Sequence, residues 1–274
     1  MAQKRNWKYW NRTQNEINSV FNDITQSLND VINSLPTVPD KVASLDKLSV
    51  SEEWENFADK TAKRIISIQS KDDAKTWMQA ATRATKGRQI YQMLSSELKS
   101  ESSFQPLVLR SAELIRTLPN NISRKVVKKV GILTLKGVGE KDIAREIQKM
   151  FPNYTKASAM LIARTETART QTAITTIRSN RLGLRWYIWR TVGGPLVRSS
   201  HRHMDGVLIP YGQDPEPEKL IGMKSQGSYK PGGIYNCRCY MEPVTNINDI
   251  AFPAKVFWNG RIQRMTKKQF LEIF

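Results

Sequence analysis

The apolar residues change period at Gly183, and that change limits the folds open to this chain. Up to that point they recur in steps of three and four, the spacing of one helix face. Ile17, Val20, Phe21, Ile24, Leu28, Val31, Ile32 and Leu35 form one such stripe, stopped by Pro36. "LPTVPDK" then reads as a linker or turn. Ser49 and Glu52 have the spacing of a capping box. They open a second helix with Trp54, Phe57, Ala58, Ala62, Ile65 and Ile66 on one side. A third helix is expected from near Ser70, carrying Trp77, Ala81, Ala84, Ile90, Tyr91, Leu94 and Leu98. Two shorter ones come next, at about 107–118 and 122–135. A helix at 142–150 should close at Phe151-Pro152, and a longer one should run from about Thr155 to Asn180 with Gly183 as its stop. Helix, tight turn, helix is one shape of a DNA-reading motif, but the second helix has no evident base-reading polar face, so plain packing is the expectation.

After Gly183 the pattern is that of strands and turns. "LRWYIWRTV" alternates and is rich in aromatics, as a half-buried strand is. Gly, Pro, Asn and Asp punctuate the chain beyond it. "IYNCRCYMEPV" reads as a short strand with Cys237 and Cys239 on one face. Asn259-Gly260 sits between two short apolar-polar runs, the signal of a two-residue hairpin. "TKKQFLEIF" reads as a short helix capped by Thr266. The fold class expected is therefore α+β. The parse is a helical region over 1–119, a small α+β domain with a long helix and short strands over 120–245, and a hairpin with a short helix over 246–274.

Composition narrows the function classes. With 43 Lys and Arg against 25 Asp and Glu, the formal charge is +18, and the isoelectric point is near 10.0. Such an excess favours a polyanionic partner, meaning nucleic acid or an acidic protein or membrane surface. It concentrates in residues 101–200, which hold 18 basic and 6 acidic residues. Arg164, Arg169, Arg178, Arg181 and Arg185 are the candidate polyanion-binding residues, because guanidinium forks suit phosphates and carboxylates alike. No apolar run approaches the roughly 20 residues of a membrane span, so no membrane partner is expected. The first residues lack the apolar core of a secretory leader. Two cysteines cannot supply a disulfide framework. Both points lead to the expectation of folding in a reducing cytoplasm.

The two histidines and two cysteines of the whole chain occupy two tripeptides, His201-Arg202-His203 and Cys237-Arg238-Cys239. Imidazole nitrogen and thiolate are zinc ligands, and a structural site takes four. If both tripeptides were extended, each would present its two ligands on one face. His201, His203, Cys237 and Cys239 are thus a candidate Cys2His2 set for a structural zinc. The competing reading is a hydrogen-bonding core histidine beside two small buried thiols. No cofactor beyond zinc is suggested. Catalytic readings exist, with His201 and Asp205 on a metal or Cys237 as a nucleophile beside Arg238. Neither comes with the carboxylate pair, phosphate loop or oxyanion donors that such chemistry needs, so no enzymatic activity is expected.

The run "IARTETARTQTA", then Trp186, then "VRSSHRHMDG" and "PGGIYNCRCYMEP" resembles the head-morphogenesis domain of tailed bacteriophages, the Mu F-like minor head protein family. The signature positions are Thr165, Glu166, Trp186, Arg198, His201, Gly206, Asn236, Cys237, Arg238, Cys239 and Pro243. His203 is outside that signature. On this resemblance a metal would take His201, Cys237 and Cys239, with His203 or Asp205 as the fourth ligand. The resemblance implies a virion protein of the head interior, made in the bacterial host cytoplasm during assembly. Its implied partner is the portal protein, with scaffold, major capsid protein and DNA as further candidates. The alternatives are a nucleic-acid-binding protein in its own right and, behind it, a metal-dependent nuclease.

Overall fold

The computed structural model describes the backbone of residues 7–35, 37–97 and 101–274. It describes side chains from residue 13 onward, leaving out those at 36, 98–102, 152–154, 160 and 162–164. Nine α-helices and five strands lie among the described residues, with three short 3-10 turns between them. The chain divides into two compact units. One gathers Gln69–Ser103 and Arg164–Phe274 with the start of the first helix; the other comprises Asn11–Ile68 and Phe104–Ala163. Both units are discontinuous, so they do not follow the contiguous parse 1–119, 120–245, 246–274. The cause is two long helices, α3 (Glu52–Ala81) and α7 (Glu140–Arg181), each of which contributes to both units.

The second unit is all helical. It holds most of α1 (Trp7–Asn33), α2 (Val38–Ser49), the first part of α3, α5 (Gln105–Arg116), α6 (Leu118–Leu135) and the first part of α7. The stripe of α1 is its core: Ile17, Val20, Phe21, Ile24, Leu28 and Ile32 are buried. They meet Leu45, Trp54, Ile115, Ile122, Ile147 and Phe151 in one cluster. The buried Lys41 ammonium donates to the Ile32 carbonyl at 2.6 Å, serving an otherwise open acceptor at the end of α1.

Several boundaries differ from the sequence reading, each for a local reason. The "linker" after Pro36 contains the start of α2. Thr37 caps it by accepting from the Asp40 N–H, and Pro39 sits in its first turn, where a missing N–H costs nothing. Ser51, not Ser49, caps α3, accepting from the Trp54 N–H at 3.2 Å. No break falls at Ser70, since serine lacks a helix breaker's geometry; α3 runs on to Ala81, and α4 (Gly87–Glu97) begins after a turn. That turn needs Gly87, where a Cβ would lie 2.3 Å from the Ala81 carbonyl oxygen. Leu98 lies outside the described residues. Phe151-Pro152 does not end a helix either. Proline removes one backbone bond in α7, but Ile143, Ile147, Phe151 and Ala159 are all buried on either side, and that burial outweighs the local loss. With one continuous helix there, the helix-turn-helix shape is absent.

The other unit carries a five-stranded sheet in the order β3-β1-β2-β4-β5. Its strands are β1 (Trp186–Arg190), β2 (Leu208–Pro210), β3 (Tyr240–Pro243), β4 (Ala254–Trp258) and β5 (Arg261–Met265). β1 is antiparallel to β2 and β3, β2 is parallel to β4, and β4 and β5 form a hairpin. The hairpin turns at Asn259 and Gly260, both with positive φ, 52° and 76°, as a type I′ turn requires. Alternation along β1 divides the core in two. Tyr187 and Trp189 point to one face, with Met204, Val207, Ile209, Tyr229, Cys237 and Cys239. Trp186 and Ile188 point to the other, with Leu208, Val256, Met265 and Phe270. Phe270 belongs to α9 (Lys267–Leu271), whose capping box of Thr266 and Gln269 is as the sequence suggests. α7 ends as expected at Gly183, which has φ 61° while the Leu184 N–H bonds back to the Ser179 carbonyl. The fold is thus α+β, and no described helix is long and apolar enough to cross a membrane.

Candidate functional site

The site is built where three short pieces meet on the Tyr187/Trp189 face of the sheet. The first is α8 (Ser199–Met204), which buries Ser200, His201 and Met204 and exposes Arg202 and His203. Two backbone bonds hold the end of this piece against β1: Gly206 N–H to the Trp189 carbonyl and Trp189 N–H to the Val207 carbonyl, both 2.9 Å. Gly206 has φ 79°, a conformation that favours glycine. Asp205 is exposed and accepts from the Thr191 N–H at 2.8 Å.

The second piece is the turn that carries the cysteines. β3 begins only at Tyr240, so Cys237 and Cys239 precede the strand rather than belong to it. Asn236 takes φ 56°, and the residues after it alternate in burial, with both thiols buried and Arg238 exposed. The third piece is the α7 face that holds this turn in place. Thr165 Oγ1 accepts from the Asn236 N–H at 3.4 Å, and Thr172 Oγ1 donates to the Pro231 carbonyl at 2.5 Å. Arg169 donates to the Gly233 carbonyl at 2.9 Å and is oriented by Glu166 at 3.2 Å. From the other side Arg198 donates to the Tyr235 carbonyl at 2.8 Å. Gly232 lies so close to α7 that a Cβ would sit 2.9 Å from the Ala168 carbonyl oxygen, and its φ is 79°. Gly232→Ala should therefore cost about 1–3 kcal/mol through overpacking and strain, measured as a shift in the denaturation midpoint.

Three potential ligand atoms converge between these pieces. His201 Nδ1 lies 3.4 Å from both Cys237 Sγ and Cys239 Sγ. The other imidazole nitrogen, Nε2, is 3.0 Å from the Tyr229 hydroxyl, which donates to Glu218 at 2.7 and 2.8 Å. Ser200 donates to the same carboxylate at 3.0 Å. Burial pushes the Tyr229 phenol well up, and its bond to the Glu218 carboxylate adds to this, so it stays protonated. The hydrogen bond from Cys239, with that to His201, draws Cys237 well below the ordinary thiol range. The same bond and burial push Cys239 up. Beside the two thiols opens a cavity of about 350 Å³, lined by Arg198, His201, Asn236, Arg238 and the 192–197 loop.

His203 is not in this group, which corrects the four-ligand set read from H-x-H. The tripeptide is helical, so residues two apart point to opposite sides of α8 and only His201 faces inward. Trp186 lies on the far face of the sheet, in edge contact with Phe270 at 4.8 Å between ring centroids. Pro243 is paired with Tyr187 in β3.

Among the candidate polyanion-binding arginines, Arg178 is corrected: it is 1% exposed. Its guanidinium pairs with Asp73 at 2.6 Å and Glu97 at 2.7 Å and donates to the Ser70 carbonyl. Burial opposes its charge, but the attraction of those two carboxylates holds it protonated. Arg181 is exposed and pairs with Glu97 at 3.0 Å; Arg185 is exposed and donates to the Phe274 carbonyl; the Arg164 side chain lies outside the described residues. Tyr229, Glu218 and the Asp73–Arg178–Glu97 network escaped the sequence reading. Only proximity across 28, 81 and 105 residues of chain marks them, and no local spacing does.

An α+β protein whose long helix clamps a cysteine turn against a histidine helix is the class that fold and site define. Residues 125–242 match the family described as "Phage Mu protein F like protein", bearing out the Mu F-like resemblance over this part of the chain. That span holds every signature position except Pro243, one residue beyond it. A relative from Haemophilus influenzae (strain ATCC 51907 / DSM 11121 / KW20 / Rd), named "Uncharacterized protein", is 28% identical over 143 residues. The matched part is 52% of this chain and 30% of that relative, so the chain spans less than a third of the relative's length. No solved structure matches the chain.

Proposed function

We propose that this protein is a minor head-morphogenesis protein of a tailed phage, without enzymatic activity, acting in the head interior by docking on the portal. The observation that carries the proposal is the Mu F-like match over 125–242. The geometry supports it. The signature residues Thr165, Glu166, Arg198 and Asn236 serve to hold a turn, a task of fold closure rather than of turnover. The basic excess of +18 suits an acidic docking face.

The same charge favours a second reading, in which the chain binds DNA in its own right during packaging or ejection. Salt separates the two, because binding through phosphate contacts weakens steeply as counterions are restored. Co-expression with the portal protein of the same genome, nuclease treatment and size-exclusion chromatography at moderate salt form the test. Co-elution at a fixed ratio is expected. Separate elution, with nucleic acid accompanying this chain until salt removes it, would replace the portal reading by the DNA reading.

A further inference from the structure

We propose that His201, Cys237 and Cys239 hold one zinc ion, whose fourth coordination position faces the adjoining cavity rather than a fourth side chain. Three observations carry this, independently of the assembly reading.

The first is the spacing. The three ligand atoms lie within 4.8 Å of one another, and Nδ1 stands 3.4 Å from each sulfur. A tetrahedral zinc with ordinary bonds of about 2.05 Å to nitrogen and 2.3 Å to sulfur would set each such edge at roughly 3.6 Å. Along both nitrogen–sulfur edges, shifts of a few tenths of an ångström therefore admit the ion.

The second is the outer shell. A metal-binding histidine commonly donates its other N–H to a carboxylate or another acceptor, which fixes tautomer and ring orientation. Here Nε2 meets the Tyr229 hydroxyl, and that hydroxyl donates to both oxygens of the buried Glu218. With Nδ1 on the metal, Nε2 carries the proton and donates to Tyr229, so every polar atom of the relay has a partner. Glu218 is further held by Ser200, on the same helix as His201.

The third is the cavity on the remaining side. His203 and Asp205 are exposed and stand outside the group. The cavity of about 350 Å³ touches His201, Cys237 and Cys239 directly. A solvent molecule from that space completes the tetrahedron. The ion then ties the short helix α8 to the cysteine turn that precedes β3.

The test uses the full chain, purified under reducing conditions. Elemental analysis should find one zinc per chain. Cobalt(II) loaded after chelation should give the visible bands of a tetrahedral ion and the near-ultraviolet thiolate-to-cobalt band of two sulfurs. His201→Asn, Cys237→Ser and Cys239→Ser should each abolish stoichiometric binding, while His203→Ala keeps it. Tyr229→Phe should weaken zinc binding about 10- to 100-fold by loosening the outer shell. Loss of metal in His203→Ala equal to that in His201→Asn overturns the three-ligand assignment. A folded wild-type chain that takes up neither zinc nor cobalt, or a cobalt spectrum without the thiolate band, overturns the site. Where the cysteine variants fail to fold, the wild-type cobalt spectrum decides alone.

Discussion

Arg178→Ala is expected to destabilise the sheet-bearing unit by about 3–5 kcal/mol, the cost of leaving buried charge uncompensated. Asp73 and Glu97 have side chains only 6% exposed, and Arg178 pairs with both. Asp73 Oδ1 also accepts from Gln171 at 2.6 Å and Thr175 at 3.0 Å, so its geometry is fixed from α7. Removing the arginine takes the 2.6 Å ion pair from the buried Asp73 carboxylate and leaves Glu97 with the exposed Arg181. Arg178→Lys should recover part of the loss, because it restores charge but not the fork that bonds Nε and Nη2 to Glu97 Oε2 and Nη1 to Asp73 Oδ2. Amide hydrogen exchange in β1 reads this unit apart from the other. A loss of protection below about 1 kcal/mol would show that the network does not anchor the unit.

Trp186→Ala is expected to cost about 3–5 kcal/mol in the same unit, as deletion of a large buried aromatic does. Trp186 is 1% exposed. It stacks on Trp258 at 5.9 Å and meets Phe270 edge-on at 4.8 Å. Its loss takes away the surface on which α9 and the β4–β5 hairpin pack. Exchange protection should therefore fall first in β4, β5 and α9, and less in β2 and β3 near the cysteine turn. Equal loss over the whole sheet would mean that the two faces of β1 are not separate clusters. The outcome bears on the family span too. The matched span ends at residue 242, yet the sheet it contains is completed by β4 and β5, beyond that limit.

Much of this architecture was legible in local pattern. The α1 stripe, the Gly183 stop, the Asn259-Gly260 hairpin and the Thr266 cap each depend on residues within a turn or two of one another. Such signals fail where burial overrides them. Pro152 should have ended a helix by its missing N–H, but the apolar residues before and after it are buried, and α7 runs through. The histidine tripeptide failed for a different reason. H-x-H places two ligands on one face only in an extended segment, and Ser199–Met204 is helical.

The sequence by itself determined the period of each segment, the caps and turns, the excess of positive charge and the presence of soft ligands in two places. Those are properties of neighbours along the chain, set by side-chain size, φ preference and hydrogen-bonding groups. Only the tertiary structure decided that His201 and not His203 faces the thiols, that Tyr229 and Glu218 complete its hydrogen bonds, and that Arg178 neutralises Asp73 and Glu97 instead of awaiting a polyanion. These choices depend on which groups lose water together, and desolvation is settled by packing between residues far apart in the chain.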